Sequence, residues 1–244
     1  MKAYGLIGYP LTHSFSEKYF GQKFAAENIT DCTYKLYELP DITALPALLK
    51  EVPNLRGLNV TVPHKQNVIP YLDAIEPEAE KIGAVNVLKL ENGQVTGYNS
   101  DYQGFMQSLQ SFYPVNSGSQ ALVLGNGGAA KAVVAALNHL NIGYKLVSRN
   151  PQPGQLSYPD LTPAMLATSP LIINTTPLGT YPHTETCPDL LYESLSANHY
   201  LYDLVYNPAE TVFLRKGREA GAQTKNGYEM LVLQAEISWE IWNS

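Results

Sequence analysis

The chain has 244 residues, of which 45% are hydrophobic and 16% charged, with a formal net charge of −6 at pH 7. This length allows one large domain or two modest domains, and either would bury enough apolar surface to fold without disulfides or metals. The acidic balance argues against a general nucleic-acid-binding protein and against a basic protein of the membrane surface, so we expect neither partner.

Cysteine and histidine usage bears on the compartment and on metals. Cys32 and Cys187 lie far apart in no metal-ligand spacing, although spacing alone leaves a single disulfide open. We find no secretory signal at the start and no run that approaches the ~18 apolar residues of a membrane span, which favours a reducing, cytoplasmic compartment. The five histidines show no zinc pattern, so we expect no metal.

Predicted strands and helices alternate in the first part of the chain. Hydrophobic periodicity predicts strands at 3–7, 33–39, 57–63, 84–90 and 94–98, helices at 16–28 and 41–51, and a further helical segment from His64. Asn92-Gly93 is the predicted hairpin turn between the last two strands, because both residues adopt positive φ readily. Asp41 is the predicted N-cap of the second helix.

The second part of the chain continues with a βαβ unit. Strands are predicted at 120–124, 144–148, 171–174 and 200–204, and helices at 100–112, 127–140, 209–220 and 227–242, with a turn-rich return at 222–227. Ser100 and Gln103 fit a capping box. We therefore predict an α/β protein of two domains, residues 1–100 and 101–226, with a C-terminal helix at 227–244 that packs back on the first domain.

The sharpest local motif is Gly125-Asn126-Gly127-Gly128-Ala129-Ala130, which follows a predicted strand and opens a helix. It fits the G-x-G-x-x-A pattern, in which glycines let the backbone approach a pyrophosphate and the free N–H groups of the helix start bind it. Ala130 would keep the helix close to the strand. The alternative is a glycine-rich turn that binds nothing.

The end of the following strand distinguishes NADP from NAD. Strand 144–148 has no acidic residue at its end to bind a ribose 2′-hydroxyl, and Arg149 follows it. A guanidinium binds a 2′-phosphate through bidentate, charge-assisted hydrogen bonds. NADP is therefore the predicted cofactor, although an arginine on a solvated loop would look the same.

Several polar residues of the first domain suit a substrate. Alternation places Asn59 and Thr61 on one face of their strand, and Asn86 interrupts an apolar run. Lys65 lies in the first turn of the predicted helix, where the macrodipole would lower its pKa and favour proton transfer. Each has an ordinary alternative, for example a surface lysine for Lys65 and a satisfied core amide for Asn86.

Ser14, Ser16 and Asp101 stand near predicted helix starts. Either serine suits an N-cap, and Asp101 follows Ser100 in a first turn where a carboxylate favours the helix dipole. Together with the neutral side chains of the first domain, however, these hydroxyls and one ion pair suit a polyhydroxylated carboxylate.

Eight segments follow one another along the chain. They are 13–16 (HSFS), 59–65 (NVTVPHK), 83–86 (GAVN), 97–101 (GYNSD), the glycine loop with 148–149 (SR), 174–179 (NTTPLG), 203–208 (DLVYNP) and 227–235 (GYEMLVLQA). In this order they resemble the shikimate dehydrogenase family over nearly the whole chain. The resemblance implies an N-terminal α/β substrate domain, a Rossmann-like, doubly wound NADP-binding domain, and reversible NADPH-dependent reduction of 3-dehydroshikimate to shikimate in chorismate and aromatic amino acid biosynthesis.

The resemblance also implies roles by position. Lys65 and Asp101 look like the catalytic pair, in which the ammonium group protonates the alkoxide left by hydride transfer. The implied substrate ligands are Ser14, Ser16, Thr61, Asn86, Tyr206 and Gln234. The implied cofactor ligands are Gly125, Asn126, Gly127, Gly128, Ala129, Ala130 and Arg149, with Gly227 near the nicotinamide. We expect a small-molecule substrate and a monomer or homodimer.

The chain departs from the family pattern beside the cofactor residues. Asn150 stands where the family has a phosphate-binding threonine, so the NADP assignment depends on Arg149. Five prolines between 150 and 170, where family members have a helix and a strand, predict an irregular connection and a truncated cofactor domain. Two alternatives are a quinate/shikimate dehydrogenase that uses NAD and an NADP-binding sensor without turnover, although the presence of Lys65 and Asp101 argues against the sensor.

Overall fold

Two β-sheets, one in each part of the chain, organise the fold. The computed structural model describes residues 1–11, 14–115 and 119–244. Unit 1 comprises Met1–Ser100 and Ala235–Ser244, and unit 2 comprises Asp101–Gln234. His13 of the first motif lies outside the described residues. None of the described helices is long and apolar enough to cross a membrane.

Unit 1 contains a six-stranded mixed sheet with the strand order β2-β1-β3-β5-β6-β4. Its elements are β1 (Lys2–Gly8), α1 (Phe15–Ala26), β2 (Cys32–Glu38), α2 (Leu45–Glu51), β3 (Leu55–Val60), β4 (Ala74–Ile75), α3 (Pro77–Ile82), β5 (Val87–Glu91) and β6 (Gln94–Tyr98). β1 pairs in parallel with β2 and β3, whereas β5 pairs antiparallel with β3 and β6. At the predicted hairpin turn, Asn92 and Gly93 have φ values of 51° and 78°, as a two-residue turn requires.

Unit 2 contains a five-stranded parallel sheet with the order β11-β10-β9-β7-β8. Its strands are β7 (Gln120–Leu124), β8 (Gly143–Val147), β9 (Leu171–Asn174), β10 (Tyr200–Asp203) and β11 (Gln223–Lys225). The helices are α4 (Ser100–Phe112), α5 (Gly128–His139), α6 (Pro163–Thr168), α7 (Val212–Glu219) and α8 (Tyr228–Asn243), of which α4 and α8 contain the boundaries between the units. All four residues of β9 are buried, the pattern of a parallel strand covered on both faces. The predicted α/β class and Rossmann-like sheet are confirmed.

The helix predicted from His64 is wrong. Residues 61–68 form turns, and a 3-10 turn follows at Ile69–Tyr71. Pro70 has no N–H group and disfavours an α conformation at the residue before it, so an α-helix does not extend through this segment. Lys65 therefore lies in a turn, and the helix-dipole argument for it does not apply.

The stretch 222–227, predicted as a turn-rich return, contains an edge strand. β11 pairs in parallel with β10, from Tyr200 opposite Gln223 to Tyr202 opposite Lys225. Its three residues are polar and show no apolar alternation, so periodicity gives no strand signal here. Backbone pairing with an existing sheet makes this segment a strand.

The connection between β8 and β9 is irregular, as its prolines predicted. It contains a 3-10 turn at Tyr158–Asp160 and the six-residue helix α6, each with a proline in its first turn. Before them, Leu156 lies beside the end of β8, where Ser148 N donates to its carbonyl oxygen at 2.8 Å. The first part of the connection therefore follows the edge of the sheet by backbone pairing.

Trp242 packs directly against the backbone of β3 in unit 1. Its indole Nε1 donates to Leu88 O at 2.9 Å, and the ring stacks on Tyr4 with centroids 4.9 Å apart. A Cβ atom on Gly57 would overlap the indole ring. β3 and α8 approach this closely because residue 57 has no side chain.

We expect Gly57→Ala to lower the free energy of unfolding by ~1–3 kcal/mol, because the added methyl group displaces a buried ring. The matched control is Gly21→Ala in α1, where no atom lies within 4 Å of the added Cβ. That variant should gain ~0.5–1 kcal/mol, since alanine has less backbone freedom in the unfolded chain. Urea denaturation measures both, and equal stability of the two variants would contradict the packing argument.

Candidate functional site

A cavity of about 200 Å³ lies at the carboxyl ends of β7, β8 and β9 in unit 2. Its lining residues are Gly125, Asn126, Gly127, Ser148, Arg149, Tyr158 and residues 175–178. Ligands of doubly wound sheets bind at this edge, where the strand order reverses. The structure thus brings together four predicted cofactor residues, namely Gly125, Asn126, Gly127 and Arg149.

The glycine loop fits a dinucleotide phosphate. Gly127 is the N-cap of the 12-residue helix α5, and no atom lies within 4 Å of a Cβ placed on Gly127 or Gly128. Gly127 and Gly128 are also exposed, so the start of the helix, which carries the positive end of the helix dipole, is accessible to a ligand. Ala129 is exposed, whereas Ala130 is buried in the core beside β7, as close helix–strand packing requires.

The glycine loop contacts the turn that follows β9. Gly125 has a φ of +108°, which L side chains rarely adopt, and a Cβ on it would lie 2.6 Å from Thr175 Oγ1. Glycine is required at 125 for both reasons. The position of the turn at 175–178 therefore sets the width of the cavity.

A buried carboxylate, Asp203, anchors this turn. Asp203 and Asn174 end the adjacent strands β10 and β9 and are both fully buried. Asp203 accepts hydrogen bonds from Asn174 Nδ2 at 2.9 Å, Val205 N at 3.0 Å and Thr211 Oγ1 at 2.6 Å. Removal from water raises the pKa of Asp203 to about 6, although these three donors oppose the rise.

The amide group of Asn174 transmits this anchoring to the cavity wall. Its Oδ1 accepts hydrogen bonds from Thr176 N at 3.0 Å and from Thr176 Oγ1 at 2.6 Å. Asp203 therefore orients Asn174, which in turn fixes Thr176. No role was predicted for these residues, or for Tyr158 in the cavity wall. In the sequence, a polar residue at the end of each of two apolar strands is the feature that could have identified Asn174 and Asp203.

The backbone of Gly227 lies against the segment after β10, next to Tyr206 in the chain. Gly227 N donates to Val205 O at 3.2 Å, and a Cβ on Gly227 would overlap the carbonyl group of Leu204. Close backbone approach therefore requires glycine at 227. Tyr206 is 38% exposed, so part of its side chain reaches solvent.

In unit 1, backbone hydrogen bonds bring Thr61, Lys65 and Asn86 together. Val60 N donates to Asn86 O at 2.8 Å, and Val85 N donates to Lys65 O at 2.8 Å. The end of β3, the turns after it and the segment before β5 therefore lie side by side. Three predicted site residues, distant in sequence, share this end of the two strands.

Asn86 begins a buried polar network. Its Nδ2 donates to Ser100 Oγ at 3.0 Å, and its Oδ1 accepts from Ser100 N at 2.7 Å. Ser100 Oγ lies 3.2 Å from Ser238 Oγ, to which Asn59 Nδ2 donates at 2.9 Å. The predicted capping box is therefore wrong: Ser100 is the first residue of α4, and its hydroxyl pairs with Asn86 and Ser238 rather than serving as an N-cap with Gln103.

The network continues to Ser16 through Tyr34. Tyr34 Oη donates to Asn59 Oδ1 at 2.8 Å and also hydrogen-bonds the side chain of Ser16. Burial raises the pKa of Tyr34 well above its usual range, so the hydroxyl stays protonated. Ser14, in contrast, is the N-cap of α1, where its Oγ accepts from Glu17 N at 3.4 Å.

Lys65 and Asp101, the predicted catalytic pair, belong to different units. Lys65 is half-buried in the turns after β3, and Asp101 is half-buried in the first turn of α4. Gln234, the last residue of unit 2, is buried, and its Nε2 donates to Leu231 O at 2.8 Å. The roles of these three residues stay predictions.

Comparisons with known proteins place this geometry in context. Residues 6–88 match the family model of the shikimate dehydrogenase substrate binding domain. A shikimate dehydrogenase (NADP(+)) of Clostridium beijerinckii is 40% identical over 254 residues, covering 99% of this chain and 92% of that protein. The crystal structure of shikimate dehydrogenase from Aquifex aeolicus has a TM-score of 0.88 at 32% identity, covering 100% of this chain and 92% of that one. Shikimate 5-dehydrogenase from Thermus thermophilus, in complex with NADP(H) and shikimate, has a TM-score of 0.87 at 30% identity, covering 99% of this chain and 93% of that one.

We expect the titration of Asp203 to appear in the pH dependence of stability. Its folded-state pKa of about 6 lies above the ~3.9 of an unfolded chain, so the folded state binds more protons between these values. The resulting stabilisation is fully present below pH ~4 and is lost as the pH rises through about 6, a change on the order of 2–3 kcal/mol.

Asp203→Asn should remove this loss, because an amide does not ionise. Urea denaturation at intervals from about pH 4 to about pH 8 compares the variant with the wild type. Asp160→Asn is the control, since hydrogen bonds from Ser157 lower the pKa of Asp160 and move its titration below this window. Parallel stability curves for wild type and Asp203→Asn would show that Asp203 does not titrate as described.

Proposed function

The chain belongs to the shikimate dehydrogenase family, and we propose that Lys65 and Asp101 are the acid–base pair in its NADP-dependent interconversion of shikimate and 3-dehydroshikimate. The single observation that carries this function is the cavity formed by the glycine loop and Arg149, with a helix N-terminus open to a phosphate. The likeness to named shikimate dehydrogenases over nearly the whole chain supports it.

The cofactor is NADP, and its phosphates are the groups that the cavity suits. The backbone of residues 125–130 would hold the pyrophosphate, and Arg149 would hold the 2′-phosphate by charge-assisted hydrogen bonds. No acidic residue lines the cavity within the described part of the chain, so nothing there favours a ribose 2′-hydroxyl. When bound, the cofactor supplies or accepts the hydride. Gly227 would lie near the nicotinamide.

Lys65 would move the proton. Reduction of a ketone leaves an alkoxide that must be protonated, and the ammonium group of Lys65 can donate that proton. In the reverse direction, its neutral amine would remove the proton of the substrate hydroxyl. Asp101 would orient the ammonium group through charge and hydrogen bonding. The turns after β3 support this role, because a backbone hydrogen bond from Val85 N to Lys65 O holds Lys65 next to the segment that contains Asn86.

Neutral hydroxyl and amide groups suit a substrate with one carboxylate and several hydroxyls. Ser14 and Ser16 would bind the carboxylate with the help of Tyr206, and Thr61 and Asn86 would bind ring hydroxyls. Gln234 would complete the set. An analogue that lacks a hydroxyl would leave a buried partner unpaired, and this loss selects for the full substrate.

Turnover tests the proposal directly. The purified chain is mixed with shikimate and NADP, and the absorbance of the reduced nicotinamide is followed. We expect NADPH to form with shikimate, and to form more slowly when quinate replaces shikimate or NAD replaces NADP. If both ligands bind and no reduced cofactor appears, the chain is a binding protein and not the proposed enzyme.

We expect Lys65→Ala to lower kcat roughly 10²- to 10⁴-fold, because the proton donor is lost, with a much smaller effect on substrate binding. Lys50→Ala is the control, since Lys50 is an exposed lysine of α2 in the same unit. Steady-state kinetics of both variants give kcat and KM. Wild-type constants in Lys65→Ala would mean that Lys65 is an ordinary surface lysine.

We expect Arg149→Ala to weaken NADPH binding roughly 10- to 100-fold and NADH binding far less, because only NADPH carries the 2′-phosphate. Arg215→Ala, at an exposed position of α7, is the matched control. Fluorescence titration gives the four dissociation constants. An equal loss for both cofactors would remove Arg149 from the 2′-phosphate site.

A further inference from the structure

A second cavity, of about 410 Å³, adjoins the cofactor cavity in unit 2. The two cavities share Arg149, Tyr158 and Leu178. Pro159 and Asp189 also line the second cavity. A ligand that contacts Arg149 from the glycine loop therefore has this second space directly beside it.

Tyr158 is held in place by the irregular connection after β8. Ser157 N and Ser157 Oγ donate to Asp160 Oδ2 at 2.8 and 2.6 Å, which closes the 3-10 turn that Tyr158 begins. Just before it, Gln155 Oε1 accepts from Asn126 Nδ2 of the glycine loop at 3.1 Å. The segment that contains Tyr158 is thus linked to the loop that would bind the pyrophosphate.

The lining of the second cavity combines apolar surface with the carboxylate of Asp189, and it also includes Arg149, Ser157 and Cys187. The ring of Tyr158 is half-buried, and burial raises its pKa, so the phenol stays neutral. Leu178 and Pro159 add apolar surface. Asp189 is exposed, so its carboxylate can accept a hydrogen bond from a ligand. These walls suit a flat, neutral ring that has an N–H donor at its edge.

We propose that this cavity binds the purine base of the cofactor, with Tyr158 as the surface on which the base stacks and Asp189 as the acceptor for its exocyclic amino group. The inference rests on the proposed function, in which Arg149 holds the 2′-phosphate. The base and the 2′-phosphate are attached to the same ribose, so the base must lie within one sugar of Arg149. The second cavity is the space that meets this condition and has apolar walls.

A phosphate suits the second cavity less well than the first, because Arg149 lines both cavities but Asp189 lines only the second. Asp189 would repel it, because like charges in a partly desolvated site disfavour each other. The carboxylate of Asp189 therefore favours an arrangement with the phosphate beside Arg149 and the neutral base in the second cavity. Tyr158 becomes a residue that sets affinity for the base, supplied by a segment that the family-wide motifs do not include.

The test uses NADPH and its analogue with hypoxanthine in place of adenine, in which a carbonyl acceptor replaces the amino donor. Binding to the full chain is measured by the fluorescence of the reduced nicotinamide. We expect the wild type to prefer NADPH roughly 10-fold or more. Asp189→Ala should reduce this preference to within about twofold, whereas Glu193→Ala, at an exposed acidic residue of the same unit, should leave it unchanged.

The stacking role has its own pair of variants. Tyr158→Leu should weaken both cofactors by a similar factor, roughly 5- to 100-fold, because neither analogue loses its π-face. Tyr158→Phe keeps the ring and should bind within about twofold of the wild type. Asp189 is exposed, so the Asp189→Ala arm remains decisive if Tyr158→Leu does not fold.

The outcomes separate this inference from the proposed function. Unchanged affinities in Tyr158→Leu, or an undiminished preference for adenine in Asp189→Ala, would overturn the base site while Arg149→Ala still weakens NADPH. Failure of the wild type to bind NADPH would overturn the proposed function, and the base site with it.

Discussion

Polar groups at the ends of buried strands must find hydrogen-bond partners inside the protein, and both candidate sites depend on how this constraint is met. In unit 2, the carboxylate of Asp203 satisfies donors from three segments of the chain, including Asn174. In unit 1, the side-chain amides of Asn59 and Asn86 donate hydrogen bonds to serine hydroxyls. Each network positions residues that a ligand would meet, so the same hydrogen bonds stabilise the fold and organise the site in advance.

Local groups, rather than the overall charge, explain how an acidic chain can bind anionic ligands. The net charge of −6 would repel them at long range, but salt screens that field over about 8–10 Å. In the proposed arrangement, the positive groups near the ligands are Arg149, the start of α5 and Lys65, and serines, asparagines and tyrosines supply neutral donors. The negative charge of Asp189 is compatible with an anionic cofactor, because in the proposed arrangement Asp189 faces the neutral base.

Much of the fold and part of the site were predictable because they are encoded locally. The Asn92-Gly93 turn, the helix at 100–112 and the glycine loop each depend on residues close together in the chain. The helix predicted from His64 was wrong because Pro70 blocks an α-helix in this segment. The strand β11 was missed because its pairing with β10, and not its own side chains, makes it a strand.

The sequence by itself determined the alternation of strands and helices, the two sheets and the loop for the cofactor, since periodic burial and glycine positions report these directly. Only the tertiary structure decided which polar groups meet. Asn59 donates a hydrogen bond to Ser238 across 179 positions of sequence, and Asn174 donates one to Asp203 across 29. Tyr158, from the connection after β8, lines the same cavity as the glycine loop. Periodicity tells which face of an element is buried, but the partner of a buried polar group depends on strand order and register, which bring distant segments together.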